Sequence, residues 1–163
     1  MSAQPVLAPD VIALHDRLLG TPGWPQTEPA PLAAPLWHWV QVNHRNNSLL
    51  WAEEDLARRQ TVADSEIAAN KRAIDRCNQA RNDATERVDE LLLVAMKLVD
   101  EASARSDTPV STVPAHARLN SETAGSMIDR LSILALKVRA MREQTARTDV
   151  DDAHRAASRV KLE

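Results

Sequence analysis

The sequence predicts an all-α protein. The expected architecture is an antiparallel bundle of three long helices plus a short N-terminal helix, with the fourth position filled by the C-terminal tail or by a second copy. Three observations carry this expectation. The apolar residues, 44% of the chain, are mostly Ala, Leu and Val, with no Phe or Tyr and only three Gly. That mix suits helices and argues against a large sheet. Long stretches lack proline, and within them apolar residues recur at helical spacing.

The elements follow in order. Pro9 and Asp10 precede "VIALHDRLLG", a short helix with Gly20 as its stop. Residues 21–35, "TPGWPQTEPAPLAAP", carry five prolines and form a linker or extended arm. Pro35 suits the first turn of a helix, and a helical pattern runs from there to about Arg59. Asp64 or Ser65 can cap the next helix, which continues to about Ala104. "SDTPVSTVPAHARLN" is a loop, and Ser121 begins a helix that runs to about Ala146. "TDVDDAHRAASRVKLE" starts a last helix capped at Asp149 and stops in mid-pattern, which leaves the completeness of the C-terminus open. The expected organisation is a short helix and Pro-rich arm (1–35), a helical bundle domain (36–146) and a C-terminal tail or the start of a truncated helix (147–163).

Composition narrows the function. The net charge of −3 gives no basic surplus for nucleic acid. The longest apolar run, Leu91 to Met96, is far short of a bilayer span, and residues 1–10 do not read as a signal peptide. A cytoplasmic location is the simplest expectation. Cys77 is the only cysteine, so an internal disulfide and a cysteine-based zinc site are excluded. Neither paired Glu-x-x-His nor His-Glu-x-x-His is present. No cofactor is implied, although Mg²⁺ held by Glu54, Asp55, Asp75 or Asp89 stays open.

The informative feature is a polar stripe. In the first long helix one face holds Leu36, Val40, Asn43, Asn47, Leu50, Trp51, Glu54 and Arg58, flanked by His44 and Asp55. In the second, one face holds Ile67, Lys71, Ile74, Asn78, Asn82, Thr85, Asp89, Leu92 and Met96, with Asp75 and Arg81 at its edges. A short turn joins these helices, so they pack antiparallel. Glu54 is expected near Lys71, Trp51 near Ile74, Asn47 near Asn78 and Asn43 near Asn82. Two readings stand: an amide ladder with ion pairs that fixes register, or a ligand pocket between helices. In the second, Arg58, Lys71 and Arg81 attract an anion such as a sugar phosphate or nucleotide sugar. Glu54, Asp55 and Asp75 move protons or hold hydroxyls. Asn43, His44, Asn47, Trp51, Asn78, Asn82 and Glu122 complete the candidate site. Whether a reaction is catalysed stays open.

The helix from Ser121 has its main apolar face at Ala124, Met127, Ile128, Leu131, Leu134, Ala135, Val138 and Met141. Ile133 and Leu136 lie elsewhere, with Asp129 and Glu122 near that second side. A helix apolar on two sides is central or contacts a partner. With the tryptophan-rich arm this suggests a homodimer. His15, His38, His116 and His154 show no spacing that implies chemistry.

Three runs carry a resemblance: "NHRNNSLLWAEEDLARR", "KRAIDRCNQARND" and "LNSETAGSMIDRLSILALKVRAM". Over roughly residues 36–146 the chain resembles a bacterial family of small helical proteins catalogued as a domain of unknown function. The resemblance implies a role in surface-glycan assembly, with a glycosyltransferase as partner. The competing expectation is a non-catalytic helical adaptor for such an enzyme, or a self-association module.

Overall fold

A computed structural model describes residues 6–162. Among them the chain forms five helices: α1 (Ala8–Leu19), α2 (Pro35–Ala57), α3 (Asp64–Ala95), α4 (Ala124–Ala146) and α5 (Asp152–Leu162). Pro9 and Pro35 occupy first turns, where a missing N–H costs nothing. Asp64 and Glu66 place negative charge in the first turn of α3, where the helix dipole favours it. Thr123 caps α4, its hydroxyl oxygen accepting from the Ser126 N–H at 3.1 Å.

Four expected boundaries move. The N-cap position of α3 is Ala63, with no side-chain cap, so neither Asp64 nor Ser65 caps the helix. Helix α3 ends at Ala95 rather than near Ala104, because Lys97 turns the chain with a φ of 57°. Val99 then pairs as an isolated bridge with Ser111, so this stretch spends its backbone groups on a loop. Helix α4 begins at Ala124, since the capping side chain is Thr123 and not Ser121. The cap of α5 is Asp151, whose carboxylate accepts the His154 N–H, while Asp149 is bound to Arg147.

Helices α2 and α3 form the most extensive pair. Helix α4 packs on both, α1 covers α4 and α2, and α5 packs on α4. Val11 and Leu14 of α1 share one apolar cluster with Val40, Val88 and Ile128. The Pro-rich arm lies against α2. Arg45 Nε donates to the Pro25 carbonyl at 2.9 Å, and Trp24 Nε1 donates to Ser48 Oγ at 3.1 Å.

The face that α4 turns inward is not its most apolar one. Its buried residues are Gly125, Ile128, Asp129, Ser132, Ala135 and Leu136, a clean helical stripe. Met127 and Leu134, expected to face the core, are exposed. Two contacts explain the rotation. Asp129 and Ser132 are drawn to buried groups on α2, and Gly125 lets α4 touch α3. A Cβ at Gly125 would lie 2.6 Å from the Thr85 carbonyl oxygen. The Gly125 N–H donates to Asp89 at 2.6 Å across the same contact.

Candidate functional site

The middle of α2 is polar and inaccessible. Asn43, His44, Asn46, Asn47 and Ser48 are all buried. Buried polar groups need partners: Asn46 and Ser48 donate to carbonyls of α2 itself, and Asp129 of α4 takes Asn43 and Asn47. Its Oδ1 accepts from Asn43 Nδ2 at 2.8 Å, Asn47 Nδ2 at 2.9 Å and Arg81 Nε at 2.8 Å. Its Oδ2 accepts from Arg81 Nη2. Burial is the largest single influence on this carboxyl and pushes its pKa up. The hydrogen bonds from Arg81, Asn47 and Asn43 and the guanidinium charge outweigh it, so Asp129 is held below the ordinary carboxylate value. Thr85 closes the hub on the α3 side, accepting from Asn43 at 3.1 Å.

Beside this hub lies a second buried group. Ser132 Oγ accepts from Asn47 Nδ2 at 3.0 Å and is hydrogen-bonded to Nδ1 of His44 at 2.8 Å. The His44 ring stacks on His15 at 4.2 Å between centroids, and Trp24 stacks on it at 5.5 Å. Both imidazoles are fully buried. His15 Nδ1, His15 Nε2 and His44 Nε2 meet hydrogen-bond geometry with none of the described residues. Burial lowers the pKa of His15 to about 4, with the Asp16 charge and the Leu131 carbonyl offsetting it only in part. Burial and then the neighbouring His15 lower that of His44 to about 3. Both rings are neutral at physiological pH.

In front of the hub opens a cleft of about 280 Å³. Its walls include Asn47, Trp51, Glu54, Asp55, Arg58, Asn78 and Arg81, with Leu50, Ile133 and Leu136 behind. Trp51 is 39% exposed. Arg58 donates to Asp55 at 3.0 Å. Arg81 spends Nε and Nη2 on Asp129, and its Nη1 donates to none of the described residues. Asp129 thus fixes the guanidinium at the cleft wall with one donor edge free.

The sequence-predicted residues divide accordingly. Asn47, Trp51, Glu54, Asp55, Arg58, Asn78 and Arg81 come together in the cleft, while Asn43 and His44 lie buried behind it. Lys71, Asp75 and Asn82 are exposed on α3 and line none of it. Glu122 precedes α4 and pairs with Arg130. Asn47 and Asn78 share the cleft as expected, but two of the expected cross-helix partners change. Glu53, not Glu54, reaches α3, accepting from Asn70 at 2.7 Å. Asn43 meets Thr85 instead of Asn82, about one turn further along. Glu54 forms no ion pair with Lys71 among the described residues. The four carboxylates considered for Mg²⁺ do not gather, since Asp89 is bound to Gly125 and Asp75 is exposed. Among the described residues no three His, Cys, Asp or Glu side chains converge as a metal site.

Sequence reasoning missed the centre of the network. Asp129, Ser132 and Thr85 each sit on a stripe that reads as mixed, and His15 and Trp24 reach the site from a separate helix and from the arm. The one available signal was Asp129 itself, the only acidic residue of α4 before Glu143.

No described helix is long and apolar enough to cross a membrane. No curated protein and no solved structure matches the chain. One family model does, over residues 37–163, which take in α2 from Trp37 onward, α3 to α5, the whole Asp129 hub and the whole cleft, and leave out His15 and Trp24. The chain therefore belongs to the family described as Protein of unknown function (DUF4254).

Proposed function

We propose that the chain binds a small phosphorylated sugar in the cleft beside Trp51. The observation that carries the reading is the combination in one open cleft of an exposed indole, two carboxylates, two amides and two guanidiniums. An indole face takes the apolar face of a sugar ring. Glu54, Asp55 and Asn78 accept or donate to hydroxyls. Arg58 and the free edge of Arg81 take the phosphate.

The charge balance sharpens this. Within the cleft Glu54 and Asp55 offset Arg58 and Arg81, and Arg81 already carries Asp129. A bare anion gains little there, whereas a ligand with both hydroxyls and a phosphate uses every group. A place in cytoplasmic surface-glycan assembly, beside a glycosyltransferase, rests on the family resemblance. A second reading, the adaptor or self-association module, is favoured by the exposed stripe of Met127 and Leu134 on α4.

Titration calorimetry with glucose 1-phosphate and with inorganic phosphate tests the proposal. Saturable binding of the sugar phosphate, much weaker binding of phosphate, and loss of the first in Trp51→Ala and Arg58→Ala are expected. No binding of the sugar phosphate, or equal binding of both anions, would remove it.

A further inference from the structure

The Trp51 cleft has a neighbour. A second concavity of about 160 Å³ lies on the far side of Trp51, and the two share Trp51 and Leu136 as walls. Its lining brings Leu19, Trp24, Pro25 and Ala140 together with Ser48, Arg139 and Glu143, and the two lobes expose a similar mix of polar and apolar surface. Trp24 is fixed there, its Nε1 bound to Ser48 and its ring stacked over His44. Arg139 donates to Glu143 at 2.9 Å and to the Leu19 carbonyl. Each lobe thus holds an arginine paired with a carboxylate on its own helix, Arg58 with Asp55 and Arg139 with Glu143.

We infer that the two lobes form one bipartite groove for a nucleoside diphosphate sugar, with the sugar in the Trp51 cleft and the base in the lobe walled by Trp24. This rests on the proposed reading of the Trp51 cleft and deepens it. The first lobe alone is slightly smaller than ordinary ligand pockets, which start at about 300 Å³. The Trp24 lobe suits a flat ring with a polar edge, since indole walls favour such rings by stacking and Ser48, Arg139 and Glu143 lie beside it. A diphosphate crossing the Trp51 divide would meet guanidiniums on both sides, Arg58 and Arg81 in one lobe and Arg139 in the other.

The test compares UDP-glucose with glucose 1-phosphate by calorimetry on the full chain. The inference expects UDP-glucose to bind at least about tenfold tighter, an advantage of about 1.4 kcal/mol. Two variants address the second lobe alone. Arg139→Ala removes its cation, and Ala140→Met fills it without touching Arg139. Both should abolish the advantage of UDP-glucose and leave glucose 1-phosphate unchanged, with circular dichroism confirming the fold. Equal binding of the two ligands by the unmodified chain would overturn the inference and leave the cleft reading standing. So would an equal loss for both ligands in folded Ala140→Met. Binding of neither ligand would overturn both.

Discussion

Replacing Asp129 by Asn removes one charge at the point where three helices meet. The geometry allows the consequence to be worked through. Oδ1 of Asp129 accepts from Asn43, Asn47 and Arg81 Nε, and an asparagine oxygen in that place can keep those contacts. The other position is the difficulty. There the amide nitrogen would face Arg81 Nη2, a donor against a donor, where the carboxylate now accepts. The guanidinium also loses its counter-charge while its side chain stays only 28% exposed. Breaking a buried pair from one side costs about 3–5 kcal/mol. Because Arg81 reaches the cleft, the low end applies, about 3 kcal/mol. For a chain of this size that lowers Tm by about 6–12 °C. Urea unfolding followed by circular dichroism measures it. Removing both partners, as Asp129→Asn with Arg81→Met, should cost less than the two single changes added together. The sign with pH follows from the lowered carboxyl pKa. The ion pair contributes fully above about pH 4 and is lost only as pH falls further, through the folded-state value. A loss below about 1 kcal/mol for Asp129→Asn would refute the view that this carboxylate organises the site.

Three further outcomes are expected. The imidazoles of His15 and His44 are lowered from 6.5 to about 4 and about 3, so the unfolded chain takes up protons first and stability falls as pH drops below 6.5. Each should cost about 2 kcal/mol at pH 5 relative to pH 7.5, and urea melts of His15→Leu should show about half the slope. Gly125→Ala drives a methyl into the Thr85 carbonyl, a backbone atom that cannot yield cheaply. It should destabilise by about 1–3 kcal/mol, and thermal melts would show little change only if α3 and α4 stand further apart. The exposed Met127 and Leu134 support the homodimer reading, for which light scattering should give twice the monomer mass, falling to monomer in Leu134→Glu; a monomer throughout would end that reading.

Much of the fold was legible because helical periodicity and prolines mark where helices start. Pro9 and Pro35 located α1 and α2 closely. The end of α3 was not legible, since residues 96–104 have ordinary helical composition and turn away at Lys97 through loop contacts far along the chain. The α2 half of the cleft was readable from one stripe, Asn47–Trp51–Glu54–Arg58, because neighbours on a helix face are fixed by spacing alone. Its opposite wall was readable only in part. Asn78 and Arg81 were found, but Lys71 and Asn82 were assigned from a count of one helix face, and α3 is turned so that Arg81 rather than Asn82 meets Asp129 and both Lys71 and Asn82 are exposed. The orientation of α4 was the largest gap. Counting apolar residues favours Met127 and Leu134 as core, and only the tertiary partners of Asp129 and Ser132 turn the helix the other way.

The most direct test of the proposed site uses the tryptophans themselves. Trp24, Trp37, Trp39 and Trp51 give the only four indole N–H signals in the chain. Trp51 lines the cleft, whereas Trp37 and Trp39 pack against the apolar core. Titrating ¹⁵N-labelled protein with glucose 1-phosphate should move the Trp51 indole signal saturably and leave Trp37 and Trp39 in place. A titration in which Trp51 stays fixed, or in which Trp37 and Trp39 move while it does not, would contradict the account.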